Sequence, residues 1–270
     1  MGHALACPKS AKFRAAACLA LAFAATLGCR PAAAPEAAEP ALASCVPPNA
    51  ALLAGIDLDR LRAAPLYSKL PIAALLEAQP LAGAHHALLV WSGRDLLIVA
   101  RGAFREVPAG ATLLEPGLAI SGSPDSVRAA VAQHRTGRTG APGLMAHAAA
   151  IAPGNQIWAI ARGGVALPLS GNLANLNRIL RATEWTALAA RVDAGLEIHA
   201  TAACATAEGA RQIEESVRGL ISLAVVSLMR QPDLAALLRR AEVSRENATV
   251  RASLSVPPAE AARLIEIFSR

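Results

Sequence analysis

The chain has 270 residues with a net charge of +6, 54% hydrophobic residues and only 3% aromatic residues. Half of that positive charge, at Lys9, Lys12 and Arg14, sits in an N-terminal stretch without acidic residues, so the remainder is only weakly basic. So few aromatics and so little charge exclude the stacking platforms and basic grooves that single-strand nucleic-acid binders use.

Lys9, Lys12 and Arg14 precede an apolar run of 14 residues, Ala15 to Gly28. That is the length of a signal-peptide core and too short for the ~20 residues of a spanning helix. Thr26-Leu27-Gly28-Cys29 resembles the lipobox of bacterial lipoproteins, with Thr26 where that pattern usually has Leu. The resemblance implies cleavage after residue 28 and lipidation of Cys29, hence a membrane partner through a lipid anchor. The alternative is ordinary secretory cleavage after Ala41-Leu42-Ala43, which lies far beyond the apolar run. Arg30, rather than Asp, after the cysteine resembles an outer-membrane sorting pattern and implies a periplasm-facing anchor there.

Residues 29–45, with Pro31, Pro35 and Pro40 among Ala and Glu, read as an extended tether reaching about 45 Å. Cys7 and Cys18 leave with the signal, so Cys45 and Cys204 remain as a candidate disulfide pair in an oxidising compartment. Spacing alone cannot bring their Cα atoms within reach, and two unrelated thiols are the alternative.

From Pro47 strand and helix signals alternate. Ala51 to Leu58 reads as a buried strand, followed by a helical stretch from Asp59 to about Ala78 interrupted at Pro65. His86 to Trp91 and Asp95 to Arg101 form a hairpin around Ser92-Gly93-Arg94, and both strands are apolar on both faces, as central strands are. Leu118 to Ser121 is a short strand; Ser123 then caps a helix with Pro124 in its first turn, running to His134. Arg135 to Gly143, rich in Gly, Thr and Pro, separates a first lobe (46–137) from a second (144–270).

The second lobe reads as strand Asn155 to Arg162, helix Asn172 to Arg181, and a hairpin of Glu184 to Asp193 with Leu196 to Ala203. Ala207 to Met229 is a long helix and a short one follows Pro232. Glu242 to Arg245 pairs with Ala248 to Val256, and a terminal helix follows Pro257-Pro258. This order resembles a tandem of ferredoxin-like split β-α-β units. It predicts an α+β fold with one antiparallel sheet shared by the two lobes and helices mainly on one face. Pro47-Pro48-Asn49-Ala50 with Asp57, Arg62-Ala63-Ala64-Pro65-Leu66-Tyr67 and Ser121-Gly122-Ser123-Pro124 resemble an uncharacterised family of bacterial envelope lipoproteins, a resemblance that implies no reaction.

Candidate chemistry is sparse. His85-His86 point to opposite faces of a strand and lack further ligands nearby, which argues against a metal site. His199, with Glu197 and Thr201, lies on the polar face of its strand, and no Gly-x-Ser-x-Gly or phosphate-loop motif occurs. Asp57 and Asp59 read as a strand end and a helix N-cap, Asn247 as a hairpin turn, and Leu220 to Met229 as core helix. The sequence therefore predicts no enzyme, no cofactor and no metal, but a structural or interaction module with an envelope protein as partner. The alternative is a carrier whose Ala- and Leu-rich helices leave an apolar cleft over the sheet.

Overall fold

A computed structural model describes residues 40–70, 72–78, 81–104, 106–166, 176–228 and 230–268. The signal segment, Cys29 and the tether up to residue 39 lie outside the described residues.

Ten strands form one antiparallel sheet: β1 (Leu52–Asp57), β2 (Ala84–Trp91), β3 (Leu96–Gly102), β4 (Thr112–Glu115), β5 (Leu118–Gly122), β6 (Ile157–Arg162), β7 (Trp185–Val192), β8 (Leu196–Ala203), β9 (Glu242–Glu246) and β10 (Thr249–Val256). Their order is β4-β5-β3-β2-β1-β6-β7-β8-β10-β9. Read outward from the β1–β6 seam, each half has the same order: three consecutive strands, then the fifth, then the fourth. The fold is α+β with a single antiparallel sheet, as the alternation of signals predicts. The split β-α-β step is present between β8 and β9, with β10 inserted between them and helices in the crossover. In the first half the equivalent step from β3 to β4 carries no helix among the described residues.

The strand register sorts side chains onto two faces. On the first face Leu53, Leu88, Val90, Leu97, Val99, Ile120, Trp158, Ile160, Ala187 and Ala189 form one core. It is covered by α1 (Pro40–Ser44), α4 (Pro124–His134) and α5 (Pro142–Ile151), through Leu42, Ala130, Leu144 and Ala148. Farther out, on β8, β9 and β10, this face turns polar: Glu197, His199, Arg251, Ser253 and Ser244 share it. The second face packs against α2 (Leu58–Arg62), a 3-10 turn (Tyr67–Lys69) and α3 (Ala73–Leu76), and against α8 (Pro232–Leu238) and α9 (Pro258–Phe268). Beside them α7 (Ala207–Ser227) buries Ala210 and Ile213, and α6 (Leu176–Ala182) adds Ile179. Helices thus sit on one face of the second half, α5 excepted, while the first half is covered on both.

Close approach at the seam requires a glycine. Gly55 of β1 pairs with Trp158 of β6, and a Cβ at Gly55 would sit 2.2 Å from the indole Cε2. The ring therefore lies flat over the strand and fills the centre of the first-face core.

Several local expectations change. Pro40–Ser44 is helix, with Leu42 and Cys45 fully within the core, so residues 40–45 are not part of an extended tether. Apolar residues at 42, 45 and 46 dock on the sheet, which outweighs the extended bias of the prolines. The cap of α2 is Asp57, whose side chain accepts from the Arg60 N–H at 3.0 Å; Asp59, expected as the cap, lies within the first turn. Helix α5 occupies part of the stretch assigned to the lobe boundary, and β4 is an additional edge strand. The turn after β9 places Asn247 at a φ of +52°, a left-handed conformation that Asn tolerates.

Candidate functional site

The imidazole of His134 brings together two groups with nucleophilic potential. The Ser44 hydroxyl donates to Ala41 O at 2.7 Å and lies 2.7 Å from His134 Nδ1, while Cys45 Sγ is 3.8 Å from the same nitrogen. With its proton engaged by a carbonyl, Ser44 can only accept from the Nδ1–H, which is the opposite of activation by a base. No carboxylate orients His134 among the described residues. Burial pushes the Cys45 thiol up to about 11, a neutral and inert state; the Glu115 carboxylate adds to the rise and a Ser44 hydrogen bond opposes it.

Cys45 and Cys204 are both free and buried, in different cores: Cys45 under α1 on the first face, Cys204 beside Ala210 and Ile213 of α7. The anticipated bridge is therefore not formed. The reason is topological: the sheet separates the two packing layers that hold them.

The remaining candidates form surface pairs. His85 Nδ1 meets Asp59 at 2.9 Å and His86 Nε2 meets Asp57 at 3.8 Å, two separate contacts rather than one convergent ligand set. No group of three or more His, Cys, Asp or Glu converges to hold a metal among the described residues. His199 is exposed 4.0 Å from Glu197, which itself pairs with Arg191 at 2.7 Å. These contacts lie on the polar sheet face, where Ser253 is the cross-strand neighbour of His199 but its side chain shares no hydrogen bond with it.

What the described residues do build is an apolar cleft of about 400 Å³ between the second sheet face and helices α6 and α7. Its floor carries five alanines from three strands, Ala159 and Ala161 of β6, Ala200 and Ala202 of β8 and Ala252 of β10, with Leu188 of β7 among them. The roof is Ile179 and Leu180 of α6 with Val217, Leu220 and Ile221 of α7. Register explains the space. Leu188 pairs with Ala159 on one side and Ala200 on the other, and Ala200 pairs with Ala252, so a row of methyl groups faces the helices. Leu188 remains 45% exposed although β7 is an interior strand. Thr186, flanked by Ala161 and Ala202, places a hydroxyl with no hydrogen-bond partner among the described residues in this apolar lining. Sequence reasoning anticipated a cleft of this type but not its place, because each alanine alone reads as ordinary core.

No protein-family model and no curated protein matches the chain. Two solved structures of TP0453 are similar in fold. Crystal form I gives a TM-score of 0.48 at 10% identity, covering 83% of this chain and 96% of the other. Crystal form III gives 0.48 at 8% identity, covering 84% and 97%. No helix among the described residues is long and apolar enough to cross a membrane.

Proposed function

We propose that this protein is an exported, lipid-anchored and non-catalytic carrier that holds an apolar ligand in the cleft beneath α6 and α7. The observation that carries this reading is the exposed Leu188 on an interior strand, inside a predominantly apolar lining that the described residues do not fill. Clefts of about 300 to 1,000 Å³ with few polar groups are the usual form of small-molecule sites. The inert Cys45 and the unactivated Ser44 support a binding role over a chemical one.

Anchoring through Cys29, facing the periplasm from the outer membrane, follows from the N-terminal pattern. Helix α1 supports cleavage upstream of it: cutting after Ala43 would strip Leu42 from the core, at a cost of about 2 kcal/mol in apolar burial. Cutting before Cys29 leaves that packing whole. A second reading, an interaction module for an envelope protein, is favoured by Leu223 and Val226, which stand 61% and 60% exposed on the outer side of α7.

Native mass spectrometry after mild extraction separates the two. A carrier shows a small adduct that disappears in Leu188→Glu, a substitution at an already exposed position that introduces a charge into the lining. A clean mass with a stoichiometric protein partner, unchanged by Leu188→Glu, refutes the carrier reading.

A further inference from the structure

The solvent-facing side of α7 changes character half-way along the helix. Its first turns expose Glu208, Arg211, Gln212, Glu215 and Arg218, with Arg211 paired to Glu208 and Glu215 and Arg218 paired to Glu214. Continued at helical spacing, the same stripe exposes Gly219, Ser222, Leu223, Val226 and Ser227, and residues 219–229 include no charged side chain. Both serine hydroxyls donate back into their own helix, Ser222 to Arg218 O and Ser227 to Leu223 O, at 2.9 Å each. No hydroxyl proton on this stretch is therefore left for water, the arrangement that lets serine sit in an apolar medium.

Cations frame this end of the helix. Arg230 follows it, Arg239 ends α8, which packs against α7, and Arg178 and Arg181 stand exposed on α6, whose Ile179 packs with Val217 and Ile221. None of these four arginines forms an ion pair with a carboxylate among the described residues. Of the acids close to them in sequence, Asp233 is held by Arg263 at 3.4 Å, Glu242 lies in register with Ser253 on the opposite sheet face, and Glu184 lies beside His147 of α5.

We infer that the uncharged end of α7, with the unpaired arginines around it, docks onto the surface of an anionic bilayer, Leu223 and Val226 entering the acyl boundary while the guanidinium groups stay among the headgroups. The inference rests on the envelope location proposed above and not on the cleft being filled. Helices apolar on one side and bordered by cations lie in membrane interfaces in this way, and each cation near the surface adds attraction to acidic lipids. Leu223 and Val226 also carry the second reading above, but a stable protein interface takes about 800 Å² from each partner, centred on anchors such as Trp, Tyr or Arg. Two aliphatic side chains on about three turns of one helix supply neither, whereas a fluid bilayer needs no matched surface. An anchor at Cys29 would hold the bilayer at high effective concentration, so a contact too weak to retain a free protein suffices.

The test puts an environment-sensitive nitrobenzoxadiazole label on the full exported protein at Val226→Cys and, separately, at Arg211→Cys on the charged part of the same stripe; Cys45 and Cys204 are buried. Each is reconstituted with vesicles of phosphatidylethanolamine and phosphatidylglycerol, or of phosphatidylcholine alone, and the mass of the N-terminal peptide from the same sample reports the anchor separately. On the anionic vesicles the label at 226 should shift to the blue and be quenched by lipids spin-labelled high on the acyl chain, while the label at 211 stays as in water. Arg178→Gln and Arg230→Gln should each lower the docked-to-undocked ratio about fivefold, and added salt should act in the same direction. A label at 226 that stays water-like on both vesicle types, or is quenched equally on phosphatidylcholine, overturns the inference. So does a blue shift seen only in native envelope membranes or only in concentrated protein without lipid, which assigns the face to a protein partner or to a second copy.

Discussion

Cys45 shows how position changes the chemistry of a residue that sequence alone offers as reactive. Its thiol is sealed beneath α1 with an ordinary value of 9.0 pushed up to about 11, chiefly by burial. In the unfolded chain the thiol ionises first as pH rises, so between about pH 9 and pH 11 the unfolded state binds fewer protons than the folded one. Stability is then full below that window and falls through it, by on the order of 2 kcal/mol. Cys204 and Tyr67 are shifted upward too and steepen the same fall. Urea midpoints measured across the window should decline for the parent and decline less for Cys45→Ala. Equal slopes would show that Cys45 is not the sealed thiol described. The residue was legible as a cysteine outside the signal segment; its surroundings were not, because Leu42 and Val46 become core only when α1 docks on a sheet assembled much later in the chain.

At the scale of elements, legibility followed local signals. Ser123 accepts from the Ser126 N–H and Pro124 opens α4, as the Ser-Pro pair announces. The hairpins β2–β3 and β7–β8 follow directly from apolar runs around short turns. Helix α5 shares only the first-turn proline, Pro142: Ala141 offers no capping side chain, and its run of Ala and Leu is apolar around most of its circumference, so no stripe stands out. Helix α7 is the element on which the cleft depends, and its start is fixed by Thr206, whose hydroxyl accepts from the Gly209 N–H at 3.0 Å. Its first turns are further held by Arg211 pairing with both Glu208 and Glu215, exposed contacts that contribute little each. Removing the cap in Thr206→Ala should cost about 1 kcal/mol, read as a lower urea midpoint with the slope preserved. Because the cap lies one side of the roof residues Val217 to Ile221, the same variant should also weaken retention of the apolar ligand. Unchanged stability would mean the cap is not what sets the start of the roof helix.

For the molecule as a whole, the repeated strand order suggests two lobes, yet the packing ties them into one cooperative body. The sequence made the repeat visible through its hairpins and helices, but the seam itself, β1 against β6, joins strands about a hundred positions apart and leaves no local trace. Across it run Leu53 with Ile160 and Gly55 with Trp158, and the first-face core draws on both halves: Leu88, Val90 and Ile120 from one, Trp158, Ile160 and Ala187 from the other. The second face repeats this, with Leu58 and Leu61 of the first half packed in one cluster with Val192, Leu237 and Val256 of the second. Separating the halves would expose both cores along their full length, so neither half holds a complete hydrophobic layer of its own. Denaturant unfolding should therefore show one transition, with backbone circular dichroism and tryptophan fluorescence coincident, since Trp91 reports the first half and Trp158 and Trp185 the second. Ile160→Ala at the seam should lower the unfolding free energy by about 2–5 kcal/mol and shift that single midpoint down without splitting it. Two resolved transitions, or a half-chain that folds alone with the stability of the whole, would show that the shared cores do not couple the halves.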